Sequence, residues 1–230
     1  MPGHERLLRI VGAVAIVGGP LGYLVGGLLA PAIHGTGAAT LDANATANPA
    51  ANAVHVIAFV AASYLLPLGA VALGYLAYRH TPWQATIAGI LGVVGWLPFS
   101  ALAALDDLAI AMAGMPGPTM YAGLLDRFTN DAVMGGYLIV YVACHLVAYV
   151  MFGIALRRAR LIPAWAAGAL IASSPLTIAA FAFHGTGRVA VGGLALALLL
   201  IGSIPAAVAI MRPARSSPAG GAGASPGHPG

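Results

Sequence analysis

Six apolar stretches, at roughly 9–33, 53–78, 84–106, 132–156, 162–183 and 189–211, are each long enough to cross a bilayer. About 20 mostly apolar residues, rising 1.5 Å each as a helix, bridge a hydrocarbon core of roughly 30 Å. Lipid offers no water to pair with a stray amide or carbonyl, so segments of this length must be helices. Strands of a membrane barrel would alternate in polarity, and these segments do not. Only 7% of residues are charged against 60% hydrophobic, too few polar side chains to coat a soluble domain of 230 residues. The sequence therefore predicts an all-α, polytopic bundle of six transmembrane helices over 1–211. The tail at 212–230, built of Pro, Gly, Ser and Ala, cannot bury a core and is expected to be disordered.

Every basic residue is an arginine, and the arginines set the orientation. Arg6 and Arg9 precede the first segment, and Arg79 follows the second. Arg157, Arg158 and Arg160 follow the fourth, and Arg212 and Arg215 the sixth. Only Arg127 and Arg188 fall on the other side. Eight of ten on one side predicts that side, and both termini, to be cytoplasmic in the plasma membrane. The loops at 34–52, 107–131 and 184–188 then face outward. The net charge of +4 is explained by this topology and calls for no nucleic-acid partner. The first segment is longer than the apolar core of a signal peptide, and Pro31 sits inside its one cleavage-like site, so it reads as a span. Within 118–131, Tyr121, Leu124, Leu125 and Phe128 share one helical face, which predicts a short helix lying at the outer interface.

Gly18, Gly22 and Gly26 repeat every four residues, a spacing that lets another backbone approach closely, within the chain or across a homo-oligomer. Pro20, Pro67, Pro98, Pro175 and Pro205 interrupt five of the segments, each removing one backbone donor. Ser63, Ser173 and Ser174 are near enough in sequence to compensate. The single Cys144 excludes an intramolecular disulfide and a cysteine-built metal site.

The reactive groups gather in two places. "HGTG" occurs at 34–37 and again at 184–187, each time closing an apolar segment. As helix-end caps, these copies use Gly for a left-handed turn and His against the negative end of the helix dipole. As ligands, His34 and His184 join His55, which opens the second segment at the same depth, in an outer metal or haem site. Asp106 and Asp107 end the third segment on that side too. The second place is the fourth segment, where Tyr137, Tyr141, His145 and Tyr149 form one slowly drifting row. His145 falls near the midplane, where an ionisable side chain is costly and must find a partner. Tyr64, Ser63, Ser100 and Thr177 stand at suitable depth. No second histidine matches that depth, which disfavours a haem in the core and leaves one at the rim open.

Two stretches, "LDANATANPAANAVHVIAFVAASYLLPLGAVALGYLAYR" (41–79) and "GYLIVYVACHLVAYVMFGIALRRARLIPAWAAGALIA" (136–172), resemble a widespread bacterial family of small multi-helix membrane proteins known only as a domain of unknown function. The likeness implies a multi-helix fold and an orientation. It implies no reaction, cofactor or site.

Three functions fit these residues. The favoured one is a membrane-embedded enzyme or binder of a lipophilic, isoprenoid- or lipid-like molecule. Asp106 or Asp107 would donate a proton, and His145 and Tyr141 would line the pocket as acid/base groups. The alternatives are a non-enzymatic metal- or haem-binding protein using His34, His55 and His184, and a transport or accessory subunit completed by a membrane partner.

Overall fold

A computed structural model describes residues 3–31 and 35–212; His34, Arg215 and the expected tail beyond 212 lie outside the described residues. The described chain is helical throughout, with no strand. Its helices are α1 (Gly3–Leu29), α2 (Gly37–Thr46), α3 (Pro49–Tyr78), α4 (Pro82–Trp96), α5 (Phe99–Ala113), α6 (Ala122–Thr129), α7 (Ala132–Arg158), α8 (Ala164–Ala180) and α9 (Gly185–Met211).

Five helical stretches are long and apolar enough to cross a membrane: α1, α3, α4 continued by α5, α7 and α9. The chain is a multi-pass membrane protein. The expected fifth span is the shorter α8, whose 17 residues measure roughly 26 Å. The third span differs from expectation at both ends. It runs from Pro82 to Ala113, broken at Leu97–Pro98 where proline has no amide for the carbonyl of Val94. Asp106 and Asp107 therefore do not end it but lie within α5.

Six helices close a ring through side-by-side packing in the order α1, α3, α4, α7, α8, α9 and back to α1. α5 leans on α3, and α2 and α6 pack at its far end. The α1–α3 seam explains the glycine repeat. A Cβ on Gly22 would stand 2.9 Å from the carbonyl oxygen of Ala58, and one on Gly26 would enter the Phe59 ring at 2.2 Å. The repeat is thus used inside the chain. Ser63, Ser173 and Ser174 do not serve the carbonyls stranded by proline. Ser63 and Ser173 bond the carbonyls of Val60 and Leu170, and Ser174 that of Leu146 across to α7.

Charge separates along the bundle. Arg9 donates to the carbonyl of Arg212 at 2.5 Å, so the start of α1 and the end of α9 meet. Arg158 donates to Gln84 at 3.4 Å, bringing the α7–α8 and α3–α4 turns together. In that turn Arg160 takes a left-handed conformation (φ 56°), and the amide of Leu161 closes back on Leu156, a common helix stop.

The opposite end carries a small cap, in which the helix expected within 118–131 is joined by a second one, α2, where the sequence suggested only loop. Leu41 of α2 and Leu125 of α6 pack on Ala109 and Met112 of α5. Asp126 accepts from the amide of Gly37 at 2.5 Å, and Gly37 can have no side chain because a Cβ would meet the carbonyl oxygen of Ala122 at 2.3 Å. Of the four apolar residues expected on one face of α6, Leu125 is buried while Leu124 and Phe128 are exposed. The cap takes only the strip over α5, so the other two project outward.

Candidate functional site

The described residues of the "HGTG" copies, 35–37 and 184–187, are not ends of the preceding helices. α1 stops at Leu29 and α8 at Ala180, and each copy leads into the next helix. Thr36 caps α2, accepting from the amide of Ala39 at 3.3 Å. In the second copy His184 precedes α9 without a capping bond, and Gly185 supplies the left-handed turn (φ 53°). His184 is exposed. Among the described residues no three His, Cys, Asp or Glu side chains converge as metal ligands.

The histidine that does meet a helix end is His55. It projects from α3, is 2% exposed, and its Nδ1 lies 2.8 Å from the carbonyl oxygen of Gly26 in the last turn of α1. Carbonyls there run out of amide donors from their own helix, and a side chain from a neighbour completes them. Its Nε2 lies 3.4 Å from Asp106 Oδ2 on α5. One imidazole thus ties three helices. The geometry also fixes its protons. A carbonyl only accepts, so Nδ1 carries a hydrogen. Nε2 faces a carboxyl group, and attraction there requires one further proton, on the ring or on the acid. A proton bridging such a pair is a transferable one. Asp106 is 43% exposed at its side chain, so the pair is reachable from outside on the carboxyl side. Asp107, one residue on, points to the surface and joins neither.

Deeper in the ring lies a column of aromatic side chains that the sequence showed only in part. Tyr141, His145 and Tyr149 of the expected row are buried; Tyr137 is exposed. None of the partners expected for His145 serves it. Tyr64 and Ser100 are exposed, and Thr177 bonds the carbonyl of Ser173. Its Nδ1 instead bonds the carbonyl of Tyr141 one turn back in its own helix. Trp96 packs on the imidazole with ring centres 4.5 Å apart, and Tyr141 flanks it at 4.6 Å. Close approach is possible because Gly95 faces the backbone of His145, where a Cβ would come within 2.4 Å of its nitrogen. The Tyr141 hydroxyl meets that of Tyr23 at 2.5 Å. Tyr23 packs edge-on against Phe99 at 4.9 Å, and Phe59 links this layer to His55 at 4.5 Å. Tyr23, Phe59, Trp96 and Phe99 were not legible as site residues because their partners come from distant parts of the chain.

Asp106, His55, Tyr141 and His145 thus belong to one polar and aromatic column, open at Asp106 and sealed at His145, which is 3% exposed. Two open apolar grooves of about 480 Å³ lie elsewhere, one between α1 and α9 and one between α3 and α4. Neither includes a residue of the column. Compared with protein-family models, curated proteins and solved structures, the chain matches none.

Proposed function

We propose that the chain binds a lipophilic molecule at the Asp106–His55 pair and that the proton held there serves acid/base chemistry on it. The observation that carries this reading is the contrast in access. His145 and Tyr141 are packed shut, whereas Asp106 opens beside a cap whose Met120, Leu124 and Phe128 are exposed apolar side chains. Such a skin suits contact with lipid headgroups and upper acyl chains. In this reading α8 also crosses the membrane, as the fifth of six spans, α6 lies in the outer interface, and the arginine-rich end and both termini are cytoplasmic in the plasma membrane. Membership of the uncharacterised bacterial membrane family belongs to the same proposal.

The test is photolabelling of detergent-purified protein with a diazirine-bearing fatty-acyl ethanolamide, whose hydroxyl can donate to Asp106, mapped by peptide mass spectrometry. Labelling should fall on α2, α5 and α6. It should drop about tenfold in Asp106→Asn, the worth of one charge-assisted contact, with melting temperature held. Unchanged labelling in that variant would sink the assignment and leave His55–Asp106 as a helix clamp.

A further inference from the structure

Asn52 is 6% exposed, and its Oδ1 is buried with no hydrogen-bond partner. The orientation of this amide is fixed by its neighbour. Asn44 donates through Nδ2 to the carbonyl of Thr40 at 2.9 Å, so it presents Oδ1 to α3. Asn52 must answer with Nδ2, at 3.4 Å, and its own Oδ1 is turned away with nothing to accept from. A lone buried acceptor costs about 1–3 kcal/mol and calls for a donor.

His55 stands three residues further along α3, on the same side of the helix, with Asp106 beyond it. An amide oxygen one turn before His55 on α3 and a carboxylate against its ring thus both neighbour this histidine, where α2, α3 and α5 come together. The surrounding charge has the same sense. Asp42, Asp106, Asp107, Asp126 and Asp131 fall at this end of the chain's helices, against Arg127 and Arg188. Arg188 is engaged over the Phe181 ring at 4.9 Å.

We infer that this junction binds a primary ammonium group, held between Asn52 Oδ1 and the Asp106 carboxylate; the inference rests on the lipophile-binding reading of Asp106–His55. A primary ammonium has three N–H donors, enough for the amide oxygen, the carboxylate and one water. A quaternary ammonium has none for Asn52. A phosphate would meet acceptors only. Water would satisfy Asn52 but add no positive charge against the acidic residues at this end. The ammonium has two sources, the headgroup of phosphatidylethanolamine or a free small amine.

Native mass spectrometry of the full-length protein, titrated with phosphatidylethanolamine and phosphatidylcholine of equal acyl chains, separates them. The wild type should retain phosphatidylethanolamine about tenfold better, the worth of one charge-assisted contact. Asn52→Leu should erase that preference with little change in melting temperature, since it removes an unpaired acceptor and only the long 3.4 Å bond to Asn44; Asn52→Ala is the smaller substitute if leucine does not fit. No lipid preference, with ethanolamine hydrochloride raising the melting temperature of wild type but not of Asn52→Leu, would assign the site to a free amine. Equal retention of both lipids together with no response to ethanolamine overturns the inference. If acyl-probe labelling at α5 persists in that case, the lipophile site stands without the ammonium; if it too is absent, both readings fall.

Discussion

At the scale of single residues, burial and access sort the titratable groups into roles. His145 is enclosed by Trp96 and Tyr141 and is almost wholly buried, which favours a packing role. His145→Ala should cost about 3 kcal/mol through the cavity it leaves, with acyl-probe labelling retained. Loss of labelling at unchanged melting temperature would instead place it in the site. His55 is different, because removing it strips the carbonyl of Gly26 and the carboxyl of Asp106 of a shared partner. His55→Ala should lose about 2 kcal/mol of stability and labelling as well. Gly26→Ala tests the seam beside it. Its methyl would fall inside the Phe59 ring, and overpacking of this kind costs about 1–3 kcal/mol by thermal melting. At Arg160 the sign reverses. Glycine there would relieve a left-handed backbone worth about 1–2 kcal/mol and should raise the melting temperature.

At the scale of elements, the cap of α2, α5 and α6 depends on few contacts. Its core is four buried side chains, and one bond, from the amide of Gly37 to Asp126, joins α2 to α6. Gly37→Val would drive a branched side chain into the carbonyl of Ala122. Hydrogen exchange should then quicken over 37–46 and 122–129 while the spans keep their protection, because their helices are satisfied within themselves. Equal protection in that variant would show that the cap is held by something other than this contact. The break at Leu97–Pro98 gives the third span its two parts, and it sets Trp96 toward His145 and Asp106 toward His55 from one stretch of chain.

At the scale of the molecule, the ring of six helices separates charge between its ends. Arg9 and Arg212 meet at one end, and the Asp126–Gly37 contact marks the other. This asymmetry predicts an orientation in the membrane, which is directly measurable. In a Cys144→Ser background, a cysteine at Ala45 in α2 should react with a membrane-impermeant maleimide on intact cells. One at His80, in the turn after α3, should react only after lysis. The reverse pattern would invert the topology. Both positions are exposed, so burial does not confuse the result.

The apolar segments by themselves determined a helical multi-pass protein, because lipid enforces internal hydrogen bonding on any stretch of that length. The arginine positions predicted which segment ends share a side, of which the start of α1 and the end of α9 do meet, and the Tyr141–His145–Tyr149 row was visible as a spacing within one helix. What the sequence could not show is whatever joins distant segments. "HGTG" looks like two helix ends, yet it opens α2 and α9, since local composition does not say which neighbouring helix a Gly-Thr turn will serve. Asp106 and Asp107 look equivalent, yet one residue of helical rotation, about 100°, sends one to His55 and the other to the surface. Tyr23 carries no signal of its own and acquires a role only because the α1–α3 seam brings its hydroxyl to Tyr141. Lipid fixes the helices one segment at a time, but a site assembled from four of them exists only once they pack.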